Sequence, residues 1–429
     1  MKFQKPKGTA DILPVNSAKW NYVEKCAQKI FNRYCFKEIR TPIFENFDIF
    51  ARSAGDTSDV VTKEMYDFYD KGDRHIALRP EGTAGVVRAY IENKLYAPEE
   101  DKPYKVFYMG PMFRYERPQA GRMREFHQIG VEAFGEDSPE LDVEVMMMAV
   151  NLFKSLGLND LHLVINTLGD KTTRDNYRQA LIDYLEPHKT ELSDDSQERL
   201  YKNPLRVLDS KDLQDQKIVS EAPSILDFLT DDAKARWERV LQLLDLSQIN
   251  YSVDANMVRG LDYYNHTIFE IESHDESLSN GATICGGGRY DGLVAELGGP
   301  ETSGFGFGIG EERLLLLLDK LHLLDDLANN LDIYVVNLGN DQVKSETFKL
   351  VNYLRNLNYA VDFDYRQRKM KAQFKSAEQK QAKCVLILGE KELNQHQIKL
   401  KNLTDQTETM LNLSDVYTKF KDIFNKYVG

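Results

Sequence analysis

The sequence predicts an α+β domain built on an antiparallel sheet flanked by helices, interrupted by a mostly helical insertion and followed by a C-terminal α/β domain. Two long strand patterns joined by the turn sequence RPQAG predict a hairpin, Val106–Glu116 with Arg122–Phe134. A polar stretch with helical periodicity predicts the insertion, and strands alternating with helices near the C-terminus predict the second domain.

The other elements of the first domain follow in chain order. Apolar residues at helical spacing predict a helix over 16–34, which leads into an extended segment around Pro42. After the hairpin, LHLVINTLG has the alternation of a strand. Strand patterns return with HTIFEIE and GFGFGIG, on either side of the loop NGATICGGGRYDGL.

Changes of pattern set the expected domain boundaries. The first domain is expected to span residues 1–328, the helical insertion residues 170–252, and the α/β domain residues 331–429. The insertion is acidic, with eleven acidic and five basic residues between Glu191 and Asp232.

Composition argues against several classes of protein. The 429 residues are 42% hydrophobic and 29% charged, close to globular averages. No apolar stretch approaches the roughly 20 residues that cross a bilayer, and the N-terminus lacks the apolar core of a signal peptide. The four cysteines lie far apart without a CxxC pair, which favours reduced thiols in a cytoplasmic protein over a zinc site or disulfides.

Charge is unevenly distributed along the chain. A formal net charge of −13 argues against a protein that coats DNA without specificity. Between Arg366 and Lys383, however, seven basic residues accompany one acidic residue. This basic segment is either a solvated face or a contact for a polyanion.

The predicted hairpin carries polar and aromatic residues that could form a ligand shelf. Arg114 and Glu116 share one face of the first strand, and Phe126, Gln128 and Glu132 share one face of the second. An arginine can bind phosphate with its planar fork, and an aromatic ring can stack on a base. The alternative is an ordinary exposed hairpin face.

Four glycines alternate along GFGFGIG and leave one strand face without side chains. A planar ligand could lie against this backbone, or the strand could pack tightly on a helix. Arg313 follows in the first turn of the next helix, where the helix dipole disfavours a cation, so it more plausibly serves a ligand. Neither a dinucleotide fingerprint nor a P-loop fits the spacing.

These segments together resemble the signature of class II aminoacyl-tRNA synthetases. YCFKEIRTPIFE resembles motif 1, FRYERPQAGRMREFHQ motif 2 and GFGFGIGEERLLLLL motif 3. Within that class, RGLDYY, GGGRYDGL, LRPEGT, HQIGVE and KGTADILP resemble the histidyl-tRNA synthetase family over nearly the whole chain. Cys35 departs from the family pattern, which commonly has glycine there, and this puts the end of the preceding helix in doubt.

The resemblance implies a catalytic domain that activates L-histidine with ATP and Mg²⁺ and transfers it to the 3′ end of tRNA(His). It assigns Arg114 to the α-phosphate, Phe126 to adenine stacking, Glu116 to the adenine amino group and Arg313 to the γ-phosphate. Arg259 is expected between the histidine carboxylate and the α-phosphate, where related enzymes place a metal ion. The metal is therefore expected on the ATP phosphates and not in a protein cage.

The resemblance also assigns the histidine and tRNA contacts. Glu81, Thr83 and Gln128 are expected at the ammonium group, and Glu132, Tyr264 and Tyr290 at the imidazole. Tyr263 is expected to pack as a wall of the same site. The tRNA contacts are expected from Arg117, Gln119 and Arg122 at the acceptor end, and from Lys369 and Lys371 in a C-terminal anticodon-binding domain.

A homodimer in the cytoplasm, with no membrane association, completes the expectation. Two rival functions use the same scaffold: a catalytically inactive histidine-sensing paralogue and a module that senses uncharged tRNA. The first generally lacks the arginine-bearing segment and the anticodon domain, whereas both features are present in this sequence. The compact length and complete ATP motifs argue against the second.

Overall fold

The structure is a computed structural model that describes residues 3–54, 60–119, 121–273, 282–325, 327, 331–366 and 368–428. The chain divides into two compact units: Met1–Leu13 with Lys19–Leu324, and Pro14–Ala18 with Asp325–Gly429. The expected boundaries at 170–252 and 331–429 stay predictions, and residue 328 lies outside the described residues.

The strands are Lys37–Glu38 (β1), Phe44–Asn46 (β2), Asp67–Tyr69 (β3), His75–Leu78 (β4), Tyr104–Phe113 (β5), Glu125–Phe134 (β6), His162–Thr167 (β7), Tyr251–Val253 (β8), Asn265–Ser273 (β9), Ala282–Arg289 (β10), Gly304–Gly310 (β11), Ile333–Leu338 (β12), Val361–Phe363 (β13), Cys384–Gly389 (β14), Gln397–Asn402 (β15) and Glu408–Asn412 (β16). The α-helices are Pro14–Arg33 (α1), Phe47–Ala54 (α2), Thr83–Glu92 (α3), Pro139–Ser155 (α4), Lys171–Leu185 (α5), Asp194–Lys202 (α6), Leu213–Val219 (α7), Asp231–Leu246 (α8), Leu293–Glu296 (α9), Glu311–Lys320 (α10), Asp341–Asn356 (α11), Met370–Gln379 (α12), Glu390–Asn394 (α13) and Leu413–Tyr427 (α14).

An eight-stranded sheet in the order β1-β5-β6-β11-β10-β9-β7-β8 forms the centre of the first unit. The six strands from β5 to β7 in that order are antiparallel neighbours, and the two edge strands, β1 and β8, each pair in parallel. A separate antiparallel sheet has the order β2-β4-β3. The predicted fold class, a helix-flanked sheet that is mainly antiparallel, is confirmed.

The hairpin strands end earlier than the sequence pattern suggests, at Phe113 and Glu125. The Arg114 N–H still donates across the hairpin to the Arg124 carbonyl at 2.9 Å, but the next N–H, that of Tyr115, donates to the Glu64 carbonyl at 2.6 Å. Arg114 and Glu116 therefore lie in a loop and not on a strand face. They nevertheless lie side by side, with Arg114 Nη1 3.9 Å from Glu116 Oε1.

Helix α1 begins at Pro14, whose missing N–H suits the first turn of a helix, and ends at Arg33. Cys35 follows in the left-handed region, with φ of 65°. A glycine would adopt this conformation at less cost, so the cysteine occupies it with some strain.

Four capping side chains open the helices of the region predicted as an insertion. Asp170, Ser193, Asp212 and Thr230 each accept hydrogen bonds from backbone N–H groups at the start of α5, α6, α7 and α8. Apolar residues from α5, α6 and α7 belong to the same buried cluster as three tyrosines near β9 and β10, Tyr263, Tyr264 and Tyr290. The region therefore packs into the first unit's core.

The second unit contains a five-stranded sheet in the order β13-β12-β14-β15-β16. Strands β13, β12 and β14 are parallel, whereas β15 and β16 are antiparallel. Helices alternate with the parallel strands, as the sequence pattern predicts. Among the residues described, no helix is both long and apolar enough to span a membrane.

Candidate active site

A cavity of about 400 Å³ lies on one face of the eight-stranded sheet in the first unit. We call it the site cavity. Its size falls in the range typical of small-molecule sites. Twelve of the residues predicted to bind histidine or ATP line it: Glu81, Thr83, Arg114, Glu116, Phe126, Gln128, Glu132, Arg259, Tyr263, Tyr264, Tyr290 and Arg313.

The glycines of β11 form a floor with two different halves. A Cβ on Gly304 would come within 2.8 Å of the Tyr290 ring, and one on Gly306 within 2.9 Å of the Glu132 carboxyl carbon. These two glycines make room for side chains of the protein itself. A Cβ on Gly308 would meet only Gln128 at 3.6 Å, and Gly310 has no atom within 4 Å. The second half of the floor is therefore open backbone on which a planar ligand can lie.

Arg259 lies flat against the backbone of β10. A Cβ on Gly286 would lie 2.6 Å from Arg259 Cζ, so only glycine leaves room for the guanidinium. Nη1 forms an ion pair with Glu270 of β9, which also accepts a hydrogen bond from Thr283. Burial, the largest single influence, lowers the pKa of Arg259, but Glu270 together with Tyr264, Cys285 and Tyr263 raises it above its ordinary value. The Arg259 guanidinium therefore keeps its positive charge and is held at one position.

Glu132 lies at the closed end of the cavity with 1% of its surface exposed. Thr83 Oγ1 donates to Oε1 at 2.7 Å, Tyr108 Oη lies 3.4 Å from the same oxygen, and the Tyr290 hydroxyl donates to Oε2. Burial raises the pKa of Glu132 to about 8, against these hydrogen bonds. This carboxyl group is a buried hydrogen-bonding centre, and its burial favours the neutral form.

Three tyrosine rings pack together beside Glu132 in tilted and edge-to-face arrangements. The centroid of the Tyr263 ring lies 4.6 Å from that of Tyr264 and 5.6 Å from that of Tyr290. The Tyr264 ring also faces the Arg259 guanidinium at 5.8 Å. Tyr263 thus packs against both neighbouring rings, and its role as a wall of a histidine site stays a prediction.

Glu81 has a structural role at the start of α3. Its carboxylate accepts from the N–H groups of Thr83 and Ala84, at 2.6 and 2.8 Å. Burial raises the pKa of Glu81, and the hydrogen bonds from Ala84 and Thr83 act in the opposite direction. The carboxylate expected to meet an ammonium group therefore also caps a helix.

Arg114 and Arg313 lie at the open end of the cavity. Arg114 Nε donates to the Pro80 carbonyl at 2.8 Å, and its guanidinium lies 5.3 Å from the Phe126 ring. Arg313 Nη1 donates to the Thr283 carbonyl at 2.8 Å. Burial lowers the pKa of Arg313, and the nearby Arg122 cation lowers it further. Cations placed this close together favour an anionic ligand between them.

Most of the residues expected to contact tRNA lie outside the site cavity. Arg117 and Gln119 are exposed in the hairpin loop, and Arg122 lines the cavity mouth, 3.7 Å from Glu116. In the second unit, Lys369 and Lys371 are exposed at the start of α12.

Ion pairs weaken the basic segment of the second unit. Three of its seven cations pair with aspartates outside the segment: Arg368 with Asp364 at 2.5 Å, Lys383 with Asp332 at 2.9 Å, and Lys380 with Asp362. The remaining four cations, all exposed, are Arg366, Lys369, Lys371 and Lys375.

Comparison with known proteins decides the family. The profile of the family described as "Histidyl-tRNA synthetase" matches residues 8–314, and that of "Anticodon binding domain" matches residues 332–423. The chain is 61% identical to a histidine–tRNA ligase of Lactiplantibacillus plantarum over 427 residues, 99% of this chain and 100% of that protein. It is 62% identical to that of Pediococcus pentosaceus over 424 residues, again 99% and 100%.

The chain belongs to the histidyl-tRNA synthetase family. The crystal structure of apo S. aureus histidyl-tRNA synthetase superposes with a TM-score of 0.84 at 42% identity, covering 98% of this chain and 100% of that one. The resemblance drawn from the sequence motifs is confirmed. A regulatory paralogue on this scaffold is not supported, because the identity to ligases extends over nearly the whole length.

The sequence motifs of the histidyl-tRNA synthetase family did not point to two cavity residues, Glu270 and Tyr108. Glu270 sits on β9 opposite Gly286, a register that brings it to Arg259. Tyr108 fills space that Cβ atoms on Gly82 and Gly130 would occupy. The sequence offered one signal for Glu270: in HTIFEIE, Glu270 and Glu272 are two positions apart and so share one face of the predicted strand.

Proposed function

We propose that the site cavity is where this member of the histidyl-tRNA synthetase family activates histidine with ATP. The family makes the chain a histidine–tRNA ligase, which uses ATP to join histidine to tRNA. One observation carries this assignment: three arginines, Arg114, Arg259 and Arg313, line the same continuous cavity, which also contains Glu132.

The activation step joins a carboxylate oxygen of histidine to the α-phosphorus of ATP while the bond to the leaving pyrophosphate breaks. Negative charge gathers on the α-phosphoryl oxygens, so fixed cations accelerate this step through positioning and electrostatic stabilisation. Arg259 and Arg114 take this role at the α-phosphate, and Arg313 holds the γ-phosphate. The ion pair of Arg259 with Glu270 holds its guanidinium in place before substrate arrives.

ATP lies against the open half of the glycine floor. Adenine stacks on the face of the Phe126 ring that Arg114 does not cover. The Glu116 carboxylate accepts a hydrogen bond from the adenine amino group. When bound, Mg²⁺ would supply positive charge to the β- and γ-phosphates. Glu270 is already paired with Arg259 and Thr283, whereas the carboxylate of Glu312 also lines the cavity and would suit a hard cation beside the phosphates.

Histidine occupies the closed end. Glu132, Tyr264 and Tyr290 meet the imidazole nitrogens, while Glu81, Thr83 and Gln128 meet the ammonium group; Tyr263 packs as the wall. A site built from buried hydrogen-bonding groups rejects an amino acid that leaves them unpaired, by about 10⁴-fold or more. The fully buried Glu132 cluster supports this selectivity.

The tRNA is bound at both units, the acceptor end by Arg117, Gln119 and Arg122 and the anticodon region by Lys369 and Lys371. The match of residues 332–423 to an anticodon-binding domain supports the second contact. The predicted catalytic domain, 1–328, carries the helical insertion over 170–252, and 331–429 forms the anticodon-binding domain.

The active form is a homodimer in the cytoplasm. Ile43 and Phe44 lie in the motif 1 segment and expose 45% and 57% of their surfaces. Large apolar side chains exposed together mark a protein–protein interface. A second copy of the chain covers them.

The experiment is exchange of labelled pyrophosphate into ATP, measured with Mg²⁺ and without tRNA. Exchange that requires histidine, and that phenylalanine or tyrosine does not replace, is expected. A folded protein that exchanges no label with histidine would contradict the assignment.

A further inference from the structure

The segment that carries Arg259 has no helix or strand of its own. Residues 254–264 form turns and bends between β8 and β9. Gly260 follows Arg259 directly, and a Cβ there would meet nothing within 4 Å. Packing around Gly260 therefore does not fix the loop backbone. The Glu270 pair holds the guanidinium, but the loop itself depends on contacts made by its other atoms.

Arg206 of the helical region between β7 and β8 supplies such contacts. It lies on a short 3₁₀ helix, Pro204–Val207, and its Nη2 donates to the Gly260 carbonyl at 2.8 Å. Nη2 and Nε also donate to Asp262 Oδ1 at 3.0 and 3.2 Å. Asn203 Nδ2 donates to the same oxygen at 2.9 Å. One planar guanidinium thus binds the Gly260 carbonyl and the Asp262 side chain, which lie on either side of Leu261 in the chain.

A second arginine from the same region holds the other end of the loop. Arg174 of α5 donates from Nη1 to the Tyr264 carbonyl at 3.2 Å. Leu205, beside Arg206, and Leu261 of the loop pack against the same buried cluster. The loop from Arg259 to Tyr264 is therefore bound at both ends by residues between 170 and 252.

We propose that Arg206 is a positioning residue for Arg259: the helical region holds the cation-bearing loop in its activating conformation, even when no tRNA is bound. The inference rests on the proposed role of Arg259. Arg206 itself does not line the site cavity. Its loss acts through the loop, by freeing Gly260 and Asp262 and letting the guanidinium drift from the reacting phosphate.

The test is Arg206→Gln, measured by histidine-dependent pyrophosphate exchange without tRNA. We expect kcat to fall by up to about 100-fold, the effect of a misplacement near 1 Å, while KM for ATP changes less than about twofold. The matched control is Arg239→Gln, which removes another exposed ion pair between α8 and α4, Arg239 with Glu140 at 2.7 Å. It is expected to keep wild-type kcat.

The double variant separates positioning from general destabilisation. Asp262→Asn keeps the shape of the partner side chain, so it tests the same contact if Arg206→Gln does not fold. Combined with Arg206→Gln it should add little further loss, because both remove one interaction. Additive losses, or exchange by Arg206→Gln within about twofold of wild type, would overturn the proposal. If the wild type itself shows no histidine-dependent exchange, the proposed function fails instead.

Discussion

Adding one methyl group at Gly286 should disable the site without touching a charged residue. Its Cβ would lie 2.6 Å from Arg259 Cζ, whereas ordinary van der Waals contact begins at 3.4 Å. The guanidinium must therefore withdraw by about 1 Å, because it is the mobile end of a side chain and the β10 backbone is not. Gly286 has no left-handed φ, so alanine adds no backbone strain.

A displacement of that size costs about 100-fold in rate, or about 2.7 kcal/mol of transition-state stabilisation. We expect Gly286→Ala to lower kcat for histidine-dependent pyrophosphate exchange by that factor. Binding of ATP, measured by equilibrium titration, should change little, since Phe126 and Arg114 lie elsewhere in the cavity.

Gly292→Ala is the matched control, because its Cβ would meet only Glu296 at an ordinary 3.6 Å and it lies outside the site cavity. Both variants should unfold cooperatively near the wild-type temperature. Exchange by Gly286→Ala within about twofold of the control would refute the reasoning that the guanidinium works from this position.

Three other changes have distinct expected outcomes. Burial raises the pKa of Glu311 to about 9, so its folded form binds a proton more tightly than its unfolded form, and stability falls as pH rises from about 4.5 to about 9. Glu311→Gln should therefore leave the free energy of unfolding unchanged at pH 4 and raise it by on the order of 3 kcal/mol at pH 7. Denaturant titration measures both values, and equal effects at the two pH values would contradict this. Glu132→Gln should lower kcat/KM for histidine by about 10- to 100-fold with unchanged KM for ATP, and an equal loss for both substrates would count against ring recognition. Neutralising Lys369, Lys371 and Lys375 together should raise KM for tRNA in aminoacylation and leave pyrophosphate exchange intact; unchanged charging would remove the segment from the tRNA interface.

Alternation along single strands was visible in the sequence and located much of the site. The face shared by Phe126, Gln128 and Glu132 follows from the period of two in β6, and the bare face of β11 from its glycines. Which side chains occupy the space beside those glycines depends on the register between strands. Gly306 lies opposite Glu132 and Gly308 opposite Gly130, and no local pattern fixes that pairing.

Contacts between distant segments could not be predicted for the same reason. Arg206 and Asp262 are 56 residues apart, and each taken alone has the pattern of a solvated surface residue. The basic segment offers less free positive charge than its composition suggests, because Asp362 and Asp364, which lie just before it in the chain, pair with Lys380 and Arg368. Pairing across a turn or between strands decides how much charge remains for a ligand.

The most direct test of the account is adenylate formation by Arg259→His in a single turnover, with ATP and histidine saturating. The account predicts a folded variant that binds ATP normally but forms histidyl-adenylate at least about 100-fold more slowly than wild type, because the cation nearest the α-phosphate is gone. Adenylate formation at a near wild-type rate would contradict it and would move the activating charge to another residue of the cavity.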